Sequence, residues 1–298
     1  MSKCELCPRK CGVCREKQVG ACGAGSDIVI GRAALHMWEE PCISGKNGSG
    51  TVFFCGCTLG CVYCQNYLIS RRDCQSRGRA VTEAELADIF IRLQNEGAHN
   101  INLVTPTMFA PQIKSAMDKA RAIGLTVPTV YNTSGYELVS TLESVDGLID
   151  VYLPDFKYIS ADTAKKYSNA ENYPEHTKAS LEFMVKKLGK AVFGEDGMMK
   201  KGVTVRHLLL PGQLGESKKV LDYLYSAYGN DIYYSLMSQY TPTSGLDKEK
   251  YPELSRRITT YEYNKLIDHA LSLGIKNGFT QEREAAKESF IPDFGTDL

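Results

Sequence analysis

An α/β fold around a parallel sheet is the class this sequence predicts, on three observations. From about residue 80, short β-branched runs alternate with amphipathic stretches, as in repeated strand and helix units. The chain is 298 residues long and 43% hydrophobic, enough for one large domain or two ordinary ones around a sizeable core. No internal repeat or low-complexity segment interrupts the alternation.

Taken in order, the expected strands are 51–54, 100–104, 126–131, 150–153, 203–210 and 231–237, each β-branched or aromatic and bounded by turn residues. Between them, "TEAELADIFIRLQNEG" from Thr82 has a capping-box start, with Glu85 three residues on, and a stop at Gly97. Further helical patterns run near 110–123, 136–144, 175–189, 216–228 and 261–273. Six such units fit either an open doubly wound sheet or a partial barrel, and both place a site at the carboxyl ends of the strands. Gly45–Gly50 reads as a flexible entry loop, and the polar tail after Gln281 as a segment that docks or frays. The division expected is a Cys-rich extension with its entry loop over 1–49, a partial-barrel unit over 50–281 and a tail over 282–298.

Thirty-five basic residues balance thirty-five acidic ones, which gives no electrostatic footprint for nucleic acid or anionic lipid. "MSKCELCPRKCGVC" lacks a signal peptide's apolar core, and no window approaches a membrane span. The expectation is a soluble, cytoplasmic protein.

All eleven cysteines lie within the first 74 residues. A secreted disulfide scaffold would be short, carry a leader and have an even count, so metal binding or redox chemistry is the better reading. After the first strand comes Cys57-x-x-x-Cys61-x-x-Cys64. Three thiolates would fix three irons of a cubane cluster and leave the fourth open to a substrate or cofactor. Gly60 relaxes the loop, and Val62 and Tyr63 can screen a cluster from water. Zinc or plain apolar packing are the alternatives. In the leading segment, Cys4, Cys7, Cys11, Cys14 and Cys22 have spacing that suits zinc or a second cluster; a flexible thiol-rich arm is the other possibility. Cys55 reads as a packing thiol beside the motif, and Cys42 and Cys74 as buried packing. "HMWEEP", His36 to Pro41, is either a lining of the substrate side or a capping loop over the core.

The cysteine motif, its place after the first strand, and the blocks "NINLVTPT", "VYNTSGY", "DVYLPDFKY", "VRHLLLPG" and "SLMSQY" resemble the radical S-adenosylmethionine (radical SAM) superfamily. Within it they resemble the uncharacterised iron-sulfur proteins related to pyruvate formate-lyase activating enzymes, from about Cys4 to Gln281. The resemblance implies a partial (β/α)6 barrel with a Cys-rich N-terminal metal-binding extension. It implies a 4Fe-4S cluster on Cys57, Cys61 and Cys64, S-adenosylmethionine on the open iron, and a 5'-deoxyadenosyl radical that abstracts hydrogen. An external low-potential electron donor is implied as partner, and a glycyl radical enzyme or other protein or peptide as target.

By the same resemblance, Thr105-Pro106-Thr107 stands where relatives carry a glycine-glycine-glutamate turn toward the cofactor's amino group, so the carboxylate is missing there. Asn132 and Thr133 stand in place of an aspartate-threonine motif, and Asp155 and Lys157 match an aspartate-leucine-lysine motif. With Asn132 for aspartate, one anionic ligand of a monovalent cation is lost. Lys157 and Arg206 match cations that contact the cofactor, Tyr63 adjoins it, and Gln239 stands where relatives often place a histidine. Cys4, Cys7, Cys11 and Cys22 are the implied ligands of the second centre, with Cys14 spare. Ordinary readings stand beside these: turns for 105–107 and 132–135, a surface pair for Asp155 and Lys157, a strand arginine for Arg206. The rival class is a non-catalytic iron-sulfur or zinc protein; within the enzymes, the rival target is a small molecule or peptide.

Overall fold

A computed structural model describes residues 3–280 and Phe294. The expectations for the tail fall outside the described residues, except that Phe294 sets its ring edge-on against Phe53 at 5.5 Å.

The chain runs β1 (Ile28–His36), α1 (Pro41–Ser44), β2 (Ser49–Phe54), α2 (Tyr67–Ser70), β3 (Arg79–Val81), α3 (Glu83–Asn95), β4 (Ile101–Val104), α4 (Ala110–Ala122) and β5 (Thr129–Thr133). It continues through α5 (Val139–Ser144), β6 (Val151–Pro154), α6 (Ala161–Ser168), α7 (Tyr173–Leu188), β7 (Val192–Phe193) and β8 (Met199–Leu208). Last come α8 (Leu214–Tyr228), β9 (Tyr233–Met237), α9 (Thr260–Leu273) and β10 (Gly278–Thr280). β2, β4, β5, β6, β8 and β9 lie side by side in sequence order, each parallel to the next. An order that never doubles back puts every right-handed crossover on one face, so the sheet curls around its other face as a partial barrel. This is the mixed α/β fold with a curled parallel sheet that the sequence predicts.

Helix faces and the outer strand faces form the main core, which includes Phe54, Leu86, Phe90, Leu103, Ile113, Met117, Leu181, Val205, Leu221 and Leu224. Inside the curl, Cys42 and Ile43 from α1 pack with Val130, Val151, Leu153 and Met199 and close the floor. The capping box expected at Thr82 and Glu85 is present, and Thr259 with Glu262 forms a second one. At the end of β5, Gly135 has φ 77, and a Cβ there would strike the Asp155 carbonyl. Only glycine lets β5 and β6 end this close together.

Several elements differ from the expectation. β1 pairs antiparallel with β2, and β3 with β1, so the stretch assigned to the extension contributes a strand to the sheet, next to the edge formed by β3. Its alternation is broken by Gly31 and Arg32, where the register slips, which hides it from a period-2 reading. The entry loop is shorter than expected: Ser49 and Gly50 are buried strand residues, and a Cβ on Gly50 would lie 2.9 Å from the Asn100 carbonyl. β5 starts after Pro128, three residues later than expected, and α6 lies outside the expected helices. Among the described residues, no helix is long and apolar enough to cross a membrane.

Candidate active site at the barrel mouth

The loop after β2 crosses the mouth and carries its three thiols to the rim of a cavity of about 210 Å³. Cys57, Cys61 and Cys64 line it with Tyr63, Val104, Thr105, Asn132, Thr133, Asp155, Lys157, Arg206 and Gln239. Gly60 turns the loop with φ 68 in open space. Each sulfur accepts a hydrogen bond: Cys57 Sγ from the Leu59 and Gly60 N–H at 3.4 and 3.5 Å, Cys61 Sγ from Ser168 Oγ at 3.1 Å, and Cys64 Sγ from Ser70 Oγ at 3.4 Å. Donors aimed at sulfur favour the thiolate that an iron needs. Burial, then the neighbouring thiols, push Cys57 up to about 12 and raise Cys64, so the anionic form needs a cationic partner in the cavity. Three such thiols around an open cavity fit a cubane cluster short of one protein ligand.

Behind Cys61 the hydroxyls form a chain. Ser168 Oγ also bonds Tyr158 OH at 2.8 Å, and Tyr158 OH meets Tyr63 OH at 2.7 Å. The Tyr63 ring lies edge-on to Tyr167 and Tyr240, giving the thiols an aromatic, water-excluding back wall.

Below the thiols lies a buried charge network. Arg206 donates Nε to Asp155 Oδ1 at 2.9 Å, Nη2 to Asn132 Oδ1 at 2.6 Å and Nη1 to Glu39 Oε2 at 3.2 Å. Lys157 Nζ reaches the other Asp155 oxygen at 2.6 Å. Glu39 enters from the floor, and its Oε1 accepts from Asn102 at 2.9 Å and Asn132 at 3.2 Å. Burial alone would raise Asp155, but Arg206 and Lys157 outweigh it and hold the carboxyl below its ordinary value. For Glu39 and Glu40 burial wins over Arg206, and both are raised. Three carboxylates face two cations. Glu40 lies with its Oε2 buried and without a hydrogen-bond partner among the described residues.

Asp155 and Lys157 are 13% and 15% exposed, which rules out the surface-pair reading. Arg206 points into the barrel, where Asp155, Glu39 and Asn132 take three of its five N–H donors, not outward from a strand. Asn132, Thr133 and Thr105 meet at the same wall. Thr105 is left-handed at φ 58, an unusual conformation for a β-branched residue, and its N–H donates to the Asn132 carbonyl at 2.8 Å. Thr107 lies off the cavity: its hydroxyl donates to Glu137 Oε1 at 2.6 Å, and Thr133 Oγ1 donates to the same oxygen. Gln239 lines the cavity, and its carbonyl receives Gln65 Nε2 at 3.0 Å.

In the leading segment, Cys11 and Cys22 flank Gly20, whose Cβ would lie 3.5 and 3.3 Å from their sulfurs. Cys4 hydrogen-bonds Cys11, and both Cys4 and Cys22 bear on Cys7 electrostatically. Cys4 and Cys14 both line a cavity of about 600 Å³ away from the barrel mouth. Among the described residues, no three Cys, His, Asp or Glu side chains converge tightly enough to hold one metal ion. Cys42, Cys55 and Cys74 are buried, at 5%, 0% and 0% exposure. "HMWEEP" closes the barrel from below, and Glu39 within it is the site residue whose role the sequence leaves undefined.

The model of the radical SAM superfamily matches residues 51–224, more than half of the chain. This chain belongs to the radical SAM superfamily. Membership implies an enzyme that uses a 4Fe-4S cluster and S-adenosylmethionine. Across 274 residues the radical SAM chain is 28% identical to the uncharacterized protein MJ0674 of Methanocaldococcus jannaschii, covering 90% of this chain and 74% of that protein. Its fold is similar to Streptococcus suis SuiB bound to S-adenosylmethionine, with TM-score 0.51 and 13% identity over 76% of this chain; it spans about half of SuiB, 48%. A methylornithine synthase, PylB, aligns at TM-score 0.47 and 11% identity, covering 80% of this chain and 72% of PylB.

Proposed function

We propose that this radical SAM protein reductively cleaves S-adenosylmethionine at a 4Fe-4S cluster held by Cys57, Cys61 and Cys64, for hydrogen abstraction of the kind catalysed by glycyl-radical-enzyme activating enzymes. The observation that carries the reading is the meeting, in one cavity, of three hydrogen-bonded thiols with the Asp155–Lys157–Arg206 set. When bound, the reduced cluster and S-adenosylmethionine supply a 5'-deoxyadenosyl radical through one-electron cleavage of a carbon–sulfur bond.

The chain's own residues bind, orient and exclude water. Lys157 and Arg206 offer charge-assisted hydrogen bonds to a carboxylate, while Asp155 keeps both cations from collapsing onto the thiolates. Thr105, Asn132 and Thr133 present hydroxyl, amide and carbonyl groups to an ammonium. Tyr63, Leu208 and Met237 supply apolar wall, which protects a radical from water.

Glycine backbone in a partner protein is the proposed target, and a small molecule or peptide is the alternative. Electrons come from an external low-potential donor. Cys4, Cys7, Cys11 and Cys22 are the ligands proposed for a second centre, a cluster and not a lone zinc ion, since among the described residues no three such side chains converge on one point. All eleven thiols are free, which supports a reducing, cytoplasmic setting.

The test is anaerobic reconstitution followed by dithionite and S-adenosylmethionine, with 5'-deoxyadenosine measured; none released from fully loaded protein would overturn the reading. Deuterium transferred from a labelled candidate into 5'-deoxyadenosine identifies the target.

A further inference from the structure

The N-terminal arm grips the catalytic loop at two points. Arg9 stands two residues after Cys7 and two before Cys11. Lys10 N–H closes a turn on the Cys7 carbonyl at 3.0 Å, with Lys10 left-handed at φ 39, so Arg9 lies in the turn and its side chain leaves the arm. There Nε donates to the Thr58 carbonyl at 2.9 Å, and Nη2 to the Leu59 and Ser168 carbonyls at 3.0 and 2.9 Å. Nη1 donates to the Asn169 carbonyl, and the guanidinium lies over the Tyr136 ring, 5.4 Å from its centroid. At the second point the Cys22 carbonyl accepts the Cys57 N–H at 3.0 Å. The adjoining Gly56 admits this approach, because a Cβ there would lie 2.9 Å from the same oxygen.

These contacts fall on the ligands' own backbone. Thr58 and Leu59 lie between Cys57 and Cys61, and Ser168 is the residue whose hydroxyl bonds Cys61 Sγ. Four carbonyl oxygens directed at one place repel unless a cation sits among them. A planar guanidinium with five donors can serve all four, whereas an ammonium is a point charge with three.

We infer that the Cys-rich arm is a built-in clamp on the catalytic loop, in which Arg9 is a positioning residue and the arm's thiol centre sets how firmly the clamp closes. Metal bound at Cys7 and Cys11 fixes the chain on both sides of Arg9, and metal bound at Cys22 fixes the carbonyl that holds Cys57. An iron-sulfur cluster, whose thiolates stand apart on separate irons, suits thiols that do not converge on one point. The consequence for the catalytic cluster rests on the function proposed above; the clamp is a property of the chain with or without metal.

Amide hydrogen exchange on the full-length chain separates the two. In metal-free protein, Arg9→Ala should speed exchange across residues 57–64 by about tenfold or more, with α8 unchanged as internal control, and Arg9→Lys should fall between. In loaded protein, Cys11→Ser should speed exchange across the same residues, and Arg9→Ala should hasten chelator bleaching of the catalytic cluster. Iron, sulfide and zinc analysis of the Cys57→Ala, Cys61→Ala, Cys64→Ala triple variant identifies the arm's metal. Unchanged exchange at 57–64 in Arg9→Ala or, if that variant does not fold, in Arg9→Lys would overturn the clamp. Loss of the arm's metal in Cys11→Ser with no effect on 57–64 would overturn the metal control. A wild-type chain that never loads iron at the triad would remove the catalytic reading and leave the exchange result standing.

Discussion

The mouth and the floor of this barrel solve opposite problems. At the mouth, three thiols lie within eight residues of one loop, and each has a hydrogen-bond donor. They form a ligand set waiting for positive charge. At the floor, Glu39 and Glu40 enter a space lined by apolar, amide and hydroxyl groups, and they are tolerable there because Arg206 stands above them. Arg206 belongs to both regions: it lines the cavity and is braced from beneath. The mouth gathers thiols that need a cationic partner, and the floor holds the Arg206 guanidinium at a fixed height beneath them.

The sharpest break of that contrast is Cys61→Ala. It should remove the iron-sulfur absorbance of the mouth and cut 5'-deoxyadenosine release by more than about 10³-fold, since the cluster supplies the electron. Anaerobic spectroscopy and product analysis measure both.

Glu39→Ala probes the floor. It should cost about 3 kcal/mol in urea unfolding of the metal-free chain, because Arg206 stays buried with one anion fewer. It should also weaken S-adenosylmethionine binding about tenfold. The thiols should still take up iron; if iron uptake fails as well, mouth and floor are one structural unit and not two.

A third test uses pH. Glu137 lies under the wall between them, and burial pushes its carboxyl from 4.5 up to about 7 although Thr107 and Thr133 donate to it. A raised folded value means that the folded chain holds the proton more tightly. The stability from this group is therefore complete below about pH 4.5 and is lost as pH rises through about 7, some 3 kcal/mol in all at about 1.4 kcal/mol per unit. Glu137→Gln should flatten that slope, measured as urea midpoints at pH 5 and pH 8.

The smallest effect is expected at Thr105. Thr105→Gly relieves the left-handed backbone and should gain up to about 1 kcal/mol after the entropy of glycine is set against it. Cofactor affinity should fall several-fold as the hydroxyl leaves the wall. A stability gain with unchanged affinity would show that Thr105 is only a turn.

Legibility followed sequence separation. The cysteine motif is readable because all three thiols lie on one loop. The six parallel strands are readable because each carries its own apolar run, whereas β1 is obscured by Gly31, Arg32 and the register slip beside them. Glu39 meets Arg206 across 167 residues, and Ser168 meets Cys61 across 107, so no spacing could announce either contact. Asp155 and Lys157 were legible as a pair, but burial is what separates a functional pair from a surface one.

By itself the sequence determined what local chemistry determines: the strand and helix alternation, the capping boxes, the three-thiol loop and the metal-type spacing of the arm. Those follow from interactions between residues close along the chain. Only the tertiary structure decided that a carboxylate from below the barrel braces the site cation, that Thr107 serves Glu137 and not the cavity, and that Arg9 clamps the loop between two ligands. Each of these is a contact between distant segments, and its strength comes from a low-dielectric interior that exists only once the sheet has curled and the helices have covered it.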